Sequence, residues 1–339
     1  MKTIRRISAI LAGAVFFIAG LLKLMDPLGS SLIVEEYLKF FHLSGLIPAS
    51  TVFAEGLAFV ETVVGAAMIT GIWKAIVSIV SLLMLVFFTL ITLILGIFNA
   101  PMDCGCFGEA LHLTHAQSFM KNVALLILWV LAYVPRSFED PRNAKYVSFA
   151  ITVVSTIAFM VYFWLNIPAM DFTPMKPGTE LLGEIADYTE SNPILSFSNS
   201  DGEYVDSLAL NGNIMIISEY NPDKTDPEER ALLDTFISDC RKAGITPLNI
   251  VAGTPDEDPG IYYADRRTLM TLNRANGGAT LICDGQIVAK WRPGKFPDAE
   301  HLGTLATTDP TESYISENTS RRLHFQSFML YVFAVMLLL

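Results

Sequence analysis

The sequence predicts an α-helical membrane bundle joined to an exported α/β domain. Of the 339 residues, 52% are hydrophobic and only 17% are charged, and the mean hydropathy of +0.44 is far above that of a soluble globular chain. Five long apolar runs approach or exceed the roughly 20 residues that cross a bilayer. They cover residues 7–25, 52–72, 75–98, 119–134 and 146–167. Residues 168–320 contain no comparable run, which predicts a separate soluble domain.

A sixth apolar run closes the chain at residues 325–339. It spans a bilayer only if its helix begins near Arg321. The first run follows basic residues, as a signal peptide does, but no small-x-small cleavage site ends it, so we expect a retained helix. The predicted organisation is therefore a four-helix core with two further transmembrane helices and the soluble domain between these two. Its segments are 1–135 for the four-helix domain, 136–167 for a cytoplasmic loop and the fifth helix, 168–320 for the soluble domain, and 321–339 for the last helix.

The basic residues of the short loops predict the orientation, because Lys and Arg concentrate on the cytoplasmic side. Three precede the first helix, Lys74 lies between the second and third, and three more fall in residues 135–145. The opposite loops hold Lys39 and, over residues 99–118, none. We therefore expect a cytoplasmic N-terminus, with residues 99–118 and the soluble domain on the outer side.

The soluble domain alternates strand and helix patterns in the order β, α, β, α, β, β, α, after a hairpin predicted over residues 194–207. The expected elements are strands at 213–220 and 246–253, helices at 227–243 and 263–276, a hairpin at 279–291 turning on Asp284-Gly285, and a helix from Pro297. This is the thioredoxin order, and "GGATLICDGQIVAKWRPGKFP" resembles the closing hairpin of thioredoxin-like domains. The resemblance implies the fold without its dithiol chemistry, because "NPDKTDPEE" stands where that family has Cys-x-x-Cys.

Two properties of the soluble domain limit its function. Most of the net charge of −11 lies here, which excludes nucleic acid as a partner and gives no sign of binding anionic lipid headgroups. Cys240 and Cys283 have no neighbours that would lower a thiol pKa, so we interpret both as small buried hydrophobic residues.

The stretch "PMDCGCFGEALHLTHAQSF", residues 101–119, carries the other two cysteines. A disulfide between Cys104 and Cys106 would close a very small ring, and Gly105 allows the backbone to bend that far. Strained, exposed disulfides have raised reduction potentials, which favours an oxidant or isomerase. Asp103 acts in the opposite direction, since a neighbouring carboxylate raises a thiol pKa and slows attack by the thiolate.

Two other interpretations of this stretch remain open. Cys104, Cys106, His112 and His115 could bind zinc, although zinc sites more often space their cysteines two to four residues apart. The stretch could also be a structural turn with a static disulfide, in which Thr114 caps the fourth helix and His115 opens it.

The second helix places two carboxylates at membrane depth, where each is costly. Glu55 lies near the outer boundary, and we expect it to form a structural salt bridge with Lys23 at the outer end of the first helix. Glu61 lies six residues deeper, about 9 Å along the axis. It is either protonated and hydrogen-bonded in the bundle, or a proton relay beside a buried cofactor such as a quinone.

Residues 27–48 are too polar to span, but they place Ile33, Tyr37, Phe40 and Phe41 on one helical face. This pattern predicts a lid that lies in the outer interface, beside the cysteine loop.

The membrane half resembles the DoxX-like superfamily, and within it the MauE branch named from methylamine utilisation. The resemblance covers residues 1–135 and rests on "GAVFFIAGLLKLMDPLG", the glutamates of the second helix, "DCGCFG" and "FMKN". The appended thioredoxin-like domain resembles an arrangement of Bacteroidetes-type proteins in this group. The resemblance implies a multi-pass protein of the bacterial inner membrane, with a periplasmic soluble domain, that matures disulfides of exported proteins and passes electrons to a membrane quinone.

Two functions therefore remain open. In the first, the protein is a membrane thiol-disulfide oxidoreductase whose Cys104 and Cys106 exchange electrons with an exported client held by the cysteine-free domain. In the second, the bundle is a non-catalytic anchor that presents a docking domain in an envelope complex. The expected partners in both are membrane lipid and an exported or envelope protein.

Overall fold

The computed structural model describes residues 2–100, 102, 104–134, 143–168, 170–181, 195–255 and 260–338. The chain divides into two compact units. One, the membrane unit, comprises Met1–Leu165 and Gln326–Leu339, and the other, the sheet unit, comprises Asn166–Phe325. Asp103 and most of the basic loop predicted over 135–145 lie outside the described residues, as does the first residue of the hairpin predicted over 194–207.

The membrane unit is built from long apolar helices. Its helices are α1 (Lys2–Met25), α2 (Pro27–Phe40), α3 (Ser50–Thr70), α4 (Lys74–Ile97), α5 (His115–Tyr133) and α6 (Asn143–Trp164), with a short strand β1 (Cys106–Glu109) before α5. Within the described residues five helices are long and apolar enough to cross a membrane, namely all of these except α2. The five predicted spans are therefore supported.

The expected sixth span stays a prediction. The C-terminal helix α10 runs without interruption over Pro310–Leu338, yet it is not among the five candidate spans found in the described part of the chain. It begins well before Arg321, and its first half is polar, so the apolar run at the end of the sequence is only the last part of a longer helix.

Glycines set the close contact between α1 and α3. A Cβ at Gly13 would collide with Met68 and with the Gly65 carbonyl, and one at Gly20 would collide with Thr62. Because only glycine permits this approach, the contacts fix how the two antiparallel helices are aligned. The C-terminal end of α1 is thereby brought level with the middle of α3.

Two arginines at the start of α1 bind the ends of neighbouring helices. Arg5 Nε donates to the Ala132 carbonyl of α5 at 3.2 Å, and Arg6 donates to the Met68 carbonyl at 3.4 Å and to that of Ile69. The last carbonyls of a helix have no partner within it, so these guanidinium groups satisfy the C-terminal ends of α3 and α5.

The helix α2 confirms a helix over the first part of residues 27–48, and a separate 3-10 helix follows at Ser44–Ala49. Asp26 caps it by accepting from Gly29 N at 3.0 Å, and Pro27 occupies the first turn. Ser31 on its inner side is hydrogen-bonded to Ser50 and Thr51 of α3, both at 3.0 Å. The segment is thus anchored to the bundle, whereas its position in a membrane interface stays a prediction.

The sheet unit contains a five-stranded mixed sheet with the order β4-β3-β2-β5-β6. The strands are β2 (Asn213–Glu219), β3 (Thr246–Ala252), β4 (Ile261–Ala264), β5 (Gly278–Cys283) and β6 (Gln286–Trp291). The strand β3 pairs in parallel with β2 on one side and with β4 on the other. The strand β5 pairs antiparallel with β2, and β6 pairs antiparallel with β5. Helices α7 (Pro227–Lys242), α8 (Arg266–Leu272) and α9 (Ala299–Thr307) complete the unit before α10.

Most predicted elements of this unit are confirmed, but the bounds of one helix are wrong. The helix expected over 263–276 begins later, because Ile261–Ala264 form the edge strand β4 and Asp265 then caps α8 by accepting from Arg267 N and Thr268 N. The hairpin expected over 194–207 is confirmed, within its described part, as a short one. Val205 N donates to the Phe197 carbonyl at 3.0 Å and Asn199 N donates to the Glu203 carbonyl at 2.9 Å, on either side of an antiparallel bridge between Ser198 and Tyr204.

Alternating side chains of the sheet form two apolar clusters. Ile214 and Ile216 belong to one cluster, and Met215 and Ile217 to the other. Cys240 and Cys283 both lie in the second cluster, which confirms their interpretation as buried residues.

Candidate functional site at the Cys104-Gly105-Cys106 loop

The cysteine loop connects α4 to α5, and its end is firmly fixed. Thr114 Oγ1 accepts from Gln117 N at 3.2 Å, and Gln117 Oε1 accepts from Thr114 N at 3.0 Å, so a capping box starts α5. The His115 ring contacts the Ala100 carbonyl at 3.0 Å, across the loop. The prediction that Thr114 caps this helix is confirmed.

The two loop cysteines lie in direct contact as thiols. Their Sγ atoms are 2.8 Å apart. Gly105 between them has φ +60°, and a Cβ at this position would collide with Ile33 of α2. Only glycine adopts this positive φ without strain and also leaves room for the Ile33 side chain. The Tyr37 hydroxyl donates to the Cys104 carbonyl at 2.6 Å, so α2 holds the loop by packing and by a hydrogen bond.

A cavity of about 520 Å³ lies against the two sulfurs. Its walls are mainly aromatic and aliphatic, with contributions from α2, α3 and α4. The apolar lining includes Ile33, Val34, Phe41, Phe53, Leu57, Phe87, Phe88 and Ile91. The polar groups that reach it are fewer and include Lys23, Glu61 and Lys121 beside Cys104 and Cys106. A mainly apolar cavity with a few convergent polar groups is the usual form of a small-molecule site.

Lys23 pairs with Glu61, and the expected Lys23–Glu55 salt bridge is wrong. The Lys23 ammonium lies 2.6 Å from Glu61 Oε2, and the two side chains are 11% and 6% exposed. The contact of Gly20 with Thr62 brings Lys23 level with Glu61, one residue before Thr62. Glu55 is also buried but lies beside Trp164 of α6.

The two thiols differ in acidity. The hydrogen bond with Cys104 lowers the pKa of Cys106 to about 5, against the opposing effect of burial, and the charges of Lys121 and Lys23 act in the same direction. The same sulfur contact and burial raise the pKa of Cys104 above its ordinary value. Of the two thiols, Cys106 therefore ionises more readily than Cys104, and the thiolate is the nucleophile in thiol chemistry.

The alternative zinc site is not formed. The structure brings Cys104 and Cys106 together but does not add His112 and His115 to them. Across the residues the structure describes, no group of three or more His, Cys, Asp or Glu is arranged to hold a metal ion. Asp103, the carboxylate expected to raise the thiol pKa, lies outside those residues.

Three residues of this site were not recognised from the sequence as site residues. Lys121 lies in the second turn of α5, Phe88 packs under the Lys23 ammonium at 5.5 Å, and Tyr37 was assigned only to the lid. The signal for Lys121 was present in "FMKN", since a lysine close to the start of an apolar helix near two cysteines is a candidate for stabilising a thiolate.

In the sheet unit, a polar network lies at the end of β2, the position at which the sequence lacks a Cys-x-x-Cys pair. Glu219 at the end of β2 is buried, and its carboxylate accepts from Arg230 at 3.0 Å, Asn249 at 3.2 Å and Thr225 at 3.3 Å. The chain after β2 is thus held by a hydrogen-bonded polar network around Glu219.

Residues 1–135 match the model of one protein family. That family is described as Methylamine utilisation protein MauE. The MauE match contains the whole candidate site, from Lys23 through Tyr37 and Glu61 to the cysteine loop and Lys121.

A curated relative gives a second, shorter similarity. Protein TlpB of Flavobacterium psychrophilum is 31% identical over 71 residues, which are 21% of this chain and 19% of TlpB. The matched segment thus spans about a fifth of that relative. The search of solved structures returned no significant match.

Proposed function

We propose that this protein performs thiol-disulfide exchange on exported proteins through Cys104 and Cys106. The observation that carries the proposal is the pair itself, whose Sγ atoms lie 2.8 Å apart with one thiol of lowered pKa against a cavity. Two thiols in contact can form and break one bond by exchange, and a thiolate at neutral pH makes that exchange fast. The match to the MauE family over residues 1–135 is consistent with a membrane protein of redox or maturation function.

The cavity fits a membrane quinone as the partner that reoxidises the pair. Its volume of about 520 Å³ and its aromatic walls suit a planar apolar ring. Phe53, Phe87 and Phe88 would hold the ring, and the ammonium groups of Lys23 and Lys121 would face its oxygens. A bound quinone would supply a sink for two electrons and two protons. Glu61, which reaches the same cavity, is the residue we assign to carrying protons, in keeping with its pairing to Lys23.

The sheet unit is proposed to be a thioredoxin-like domain that holds the client. The parallel β2-α7-β3 unit followed by the antiparallel β5-β6 hairpin supports this assignment, with β4 as an added edge strand. The closed network around Glu219 leaves it no dithiol of its own at the end of β2, so in this scheme the sheet unit binds and the membrane unit reacts.

The location proposed for this chemistry is the outer side of a bacterial inner membrane. Five candidate spans support a multi-pass membrane protein, and the basic residues of the short loops favour a cytoplasmic N-terminus. This orientation would place the cysteine loop and the sheet unit in the periplasm. A relationship to the wider DoxX-like superfamily is proposed on the same sequence motifs.

The test is a double substitution, Cys104→Ser with Cys106→Ser, in the full-length protein reconstituted in lipid nanodiscs. The reduced protein is mixed with a peptide containing one disulfide, and exchange is followed by the mass of the alkylated peptide. We expect exchange to fall to the background rate, because no other described cysteine lines the cavity. The matched control, Cys240→Ser with Cys283→Ser, removes the two buried thiols and is expected to retain exchange.

Equal exchange by the double variant and by the parent would overturn the proposal. The protein would then be better described as an anchor for a docking domain, as the network around Glu219 also permits. A second assay, reduction of decylubiquinone by the pre-reduced protein, tests the acceptor separately, and failure there alone would remove the quinone and leave the exchange reaction.

A further inference from the structure

The two loop cysteines are unequal in exposure as whole residues, and their thiols are unequal in acidity. Cys104 is 5% exposed, and its carbonyl is bound by Tyr37, whereas Cys106 is half-buried and begins the strand β1. A sulfur that must meet an incoming disulfide has to be reached by it, and a sulfur that closes the loop afterwards has only to reach its neighbour. The geometry therefore divides the two roles between Cys106 and Cys104.

The polar and charged groups around Cys106 come from four helices. Tyr37 of α2 faces the pair, Lys23 of α1 and Glu61 of α3 lie on another side, and Lys121 of α5 approaches the Cys106 sulfur. Lys23 and Glu61 form a close ion pair, so their charges largely compensate each other. Lys121, in contrast, has no ion pair with a carboxylate among the described residues, and its ammonium lies 4.9 Å from the centre of the Phe107 ring.

We propose that Cys106 is the sulfur that exchanges with the client, that Cys104 is the sulfur that resolves the mixed disulfide, and that Lys121 is the positioning residue that keeps Cys106 a thiolate. This assignment rests on the exchange reaction proposed above and specifies its order. The Phe107 ring holds the Lys121 ammonium by a cation–π contact, and this fixes the charge beside the sulfur. The low pKa of Cys106 agrees with the assignment. The hydrogen bond with the Cys104 thiol is the largest cause that lowers this pKa, and the charge of Lys121 is the next.

The exchange has two steps that balance without a further reactant. The Cys106 thiolate attacks one sulfur of a client disulfide, a Cys106–client bond forms, and the other client sulfur leaves with the electron pair and takes up a proton. Cys104 then loses its proton and attacks Cys106 Sγ, the Cys104–Cys106 bond forms, and the second client sulfur leaves as a thiolate. The client gains two electrons and the loop loses two, and the reverse sequence oxidises a client dithiol. Either direction passes through Cys106.

The order of the two sulfurs is tested by trapping. The full-length Cys104→Ser variant, in nanodiscs and with Cys240 and Cys283 also changed to Ser, is mixed with a peptide disulfide and quenched in acid. We expect it to accumulate a mixed disulfide with the peptide, because Cys106 reacts and nothing resolves the product. The matching Cys106→Ser variant is expected to trap at least about tenfold less, since a thiol with a raised pKa supplies little thiolate.

The role of Lys121 is tested by the pH profile of alkylation in the same Cys104→Ser background. The serine introduced in place of Cys104 keeps a hydroxyl donor, so the remaining influence on Cys106 is that of the surrounding charges. Lys121→Met is expected to lower the iodoacetamide rate about tenfold below the midpoint of the profile, which corresponds to a rise of one pKa unit. Lys121→Arg keeps the charge and is expected to restore the rate. Lys39→Met removes an exposed lysine of α2 and serves as the neutral control.

The outcomes separate this inference from the proposed function. If the parent exchanges with the peptide but Cys106→Ser traps as well as Cys104→Ser, the division of roles is wrong while the exchange reaction stands. An unchanged alkylation profile in Lys121→Met would overturn the role of Lys121. Circular dichroism establishes that each variant is folded, and Lys121→Gln replaces Lys121→Met if the latter is not. Absence of exchange in the parent would instead remove the proposed function itself.

Discussion

The protein contains two pairs of cysteines in opposite surroundings. Cys104 and Cys106 lie in the membrane unit with their sulfurs in contact, beside lysines and a cavity. Cys240 and Cys283 lie in one apolar cluster of the sheet unit, and both are almost fully buried. Burial raises the pKa of Cys240 to about 12 and that of Cys283 to about 11, and the neighbouring carboxylates Asp239 and Asp284 add to the shifts.

The comparison shows that the surroundings of a thiol decide its chemistry. A hydrogen-bond donor and nearby cations stabilise the thiolate of Cys106, whereas apolar neighbours and carboxylates oppose ionisation of Cys240 and Cys283. The sheet unit thus retains cysteines as packing residues, and the membrane unit carries those suited to redox chemistry. Four predictions test this difference between the units, beginning with the one of largest effect.

Alkylation should separate the two pairs by orders of magnitude. With isotope-coded iodoacetamide at pH 7, we expect Cys106 to react at least about 100-fold faster than Cys240 or Cys283, since each unit of pKa changes the thiolate fraction about tenfold. Peptide-resolved mass spectrometry of the reduced full-length protein measures the rates. Lowering the pH through about 5 should slow the reaction of Cys106, because its thiolate is then protonated.

The unfolded protein supplies the control for that experiment. In denaturant all four cysteines should react at similar rates, because the local charges and burial are lost. Similar rates in the folded protein would mean that the two pairs do not differ in the way described, and the contrast between the units would fail.

The Lys23–Glu61 ion pair should contribute more to stability than an exposed pair of the sheet unit. Lys23→Met leaves the Glu61 carboxylate buried without its partner, and breaking such a pair costs about 3–5 kcal/mol. Lys242→Met breaks the Lys242–Asp239 pair, whose side chains are 71% and 29% exposed, and should cost less than about 1 kcal/mol. Denaturant unfolding in detergent, followed by circular dichroism, compares the two.

Glu61→Gln separates a structural role of this carboxylate from a role in proton transfer. The amide keeps a hydrogen-bonding oxygen for Lys23 but cannot carry a proton. Quinone reduction that falls in this variant while peptide exchange is retained would support proton transfer. Retention of both activities would leave Glu61 as a structural partner of Lys23 only.

Much of this architecture follows from local sequence patterns. The five membrane helices are given by the length of their apolar runs, the β5-β6 hairpin by Asp284-Gly285, and the start of α5 by Thr114 and Gln117. Each of these signals acts within one turn or one segment. The Cys-Gly-Cys loop was identified for the same reason, because the positive φ that the loop requires is at Gly105, within the motif.

The features that could not be predicted depend on how segments are aligned. Lys23 reaches Glu61 rather than Glu55 because the glycines of α1 and α3 set the contact between these helices, and one sequence does not show which glycines meet. The cavity is formed jointly by α2, α3, α4 and the loop, so no single segment contains it. The last two residues of the edge strand β4 were assigned to helix because they precede α8 without a break other than Asp265.

The smallest expected effect concerns how the two cysteine pairs are held. The Cys104 carbonyl is bound by a side chain, the Tyr37 hydroxyl at 2.6 Å, while the Cys240 carbonyl is bound by the backbone N–H of Ile245 at 2.9 Å. Tyr37→Phe removes only the first of these bonds. Leaving a buried acceptor unsatisfied costs about 1–3 kcal/mol, so we expect a loss of stability at the low end of this range and a modest fall in exchange.

Tyr204→Phe is the matched control, because this tyrosine is 71% exposed in the sheet unit and should be neutral. Stability is measured by denaturant unfolding, and loop position by the alkylation rate of Cys106, which should change in Tyr37→Phe while the rates of Cys240 and Cys283 do not. A cavity-facing loop held by one tyrosine should respond to its loss, whereas a thiol held by backbone and core packing should not. If Tyr37→Phe leaves the Cys106 rate unchanged, packing of Ile33 against Gly105 is sufficient to position the pair, and the hydrogen bond to Cys104 only adds stability.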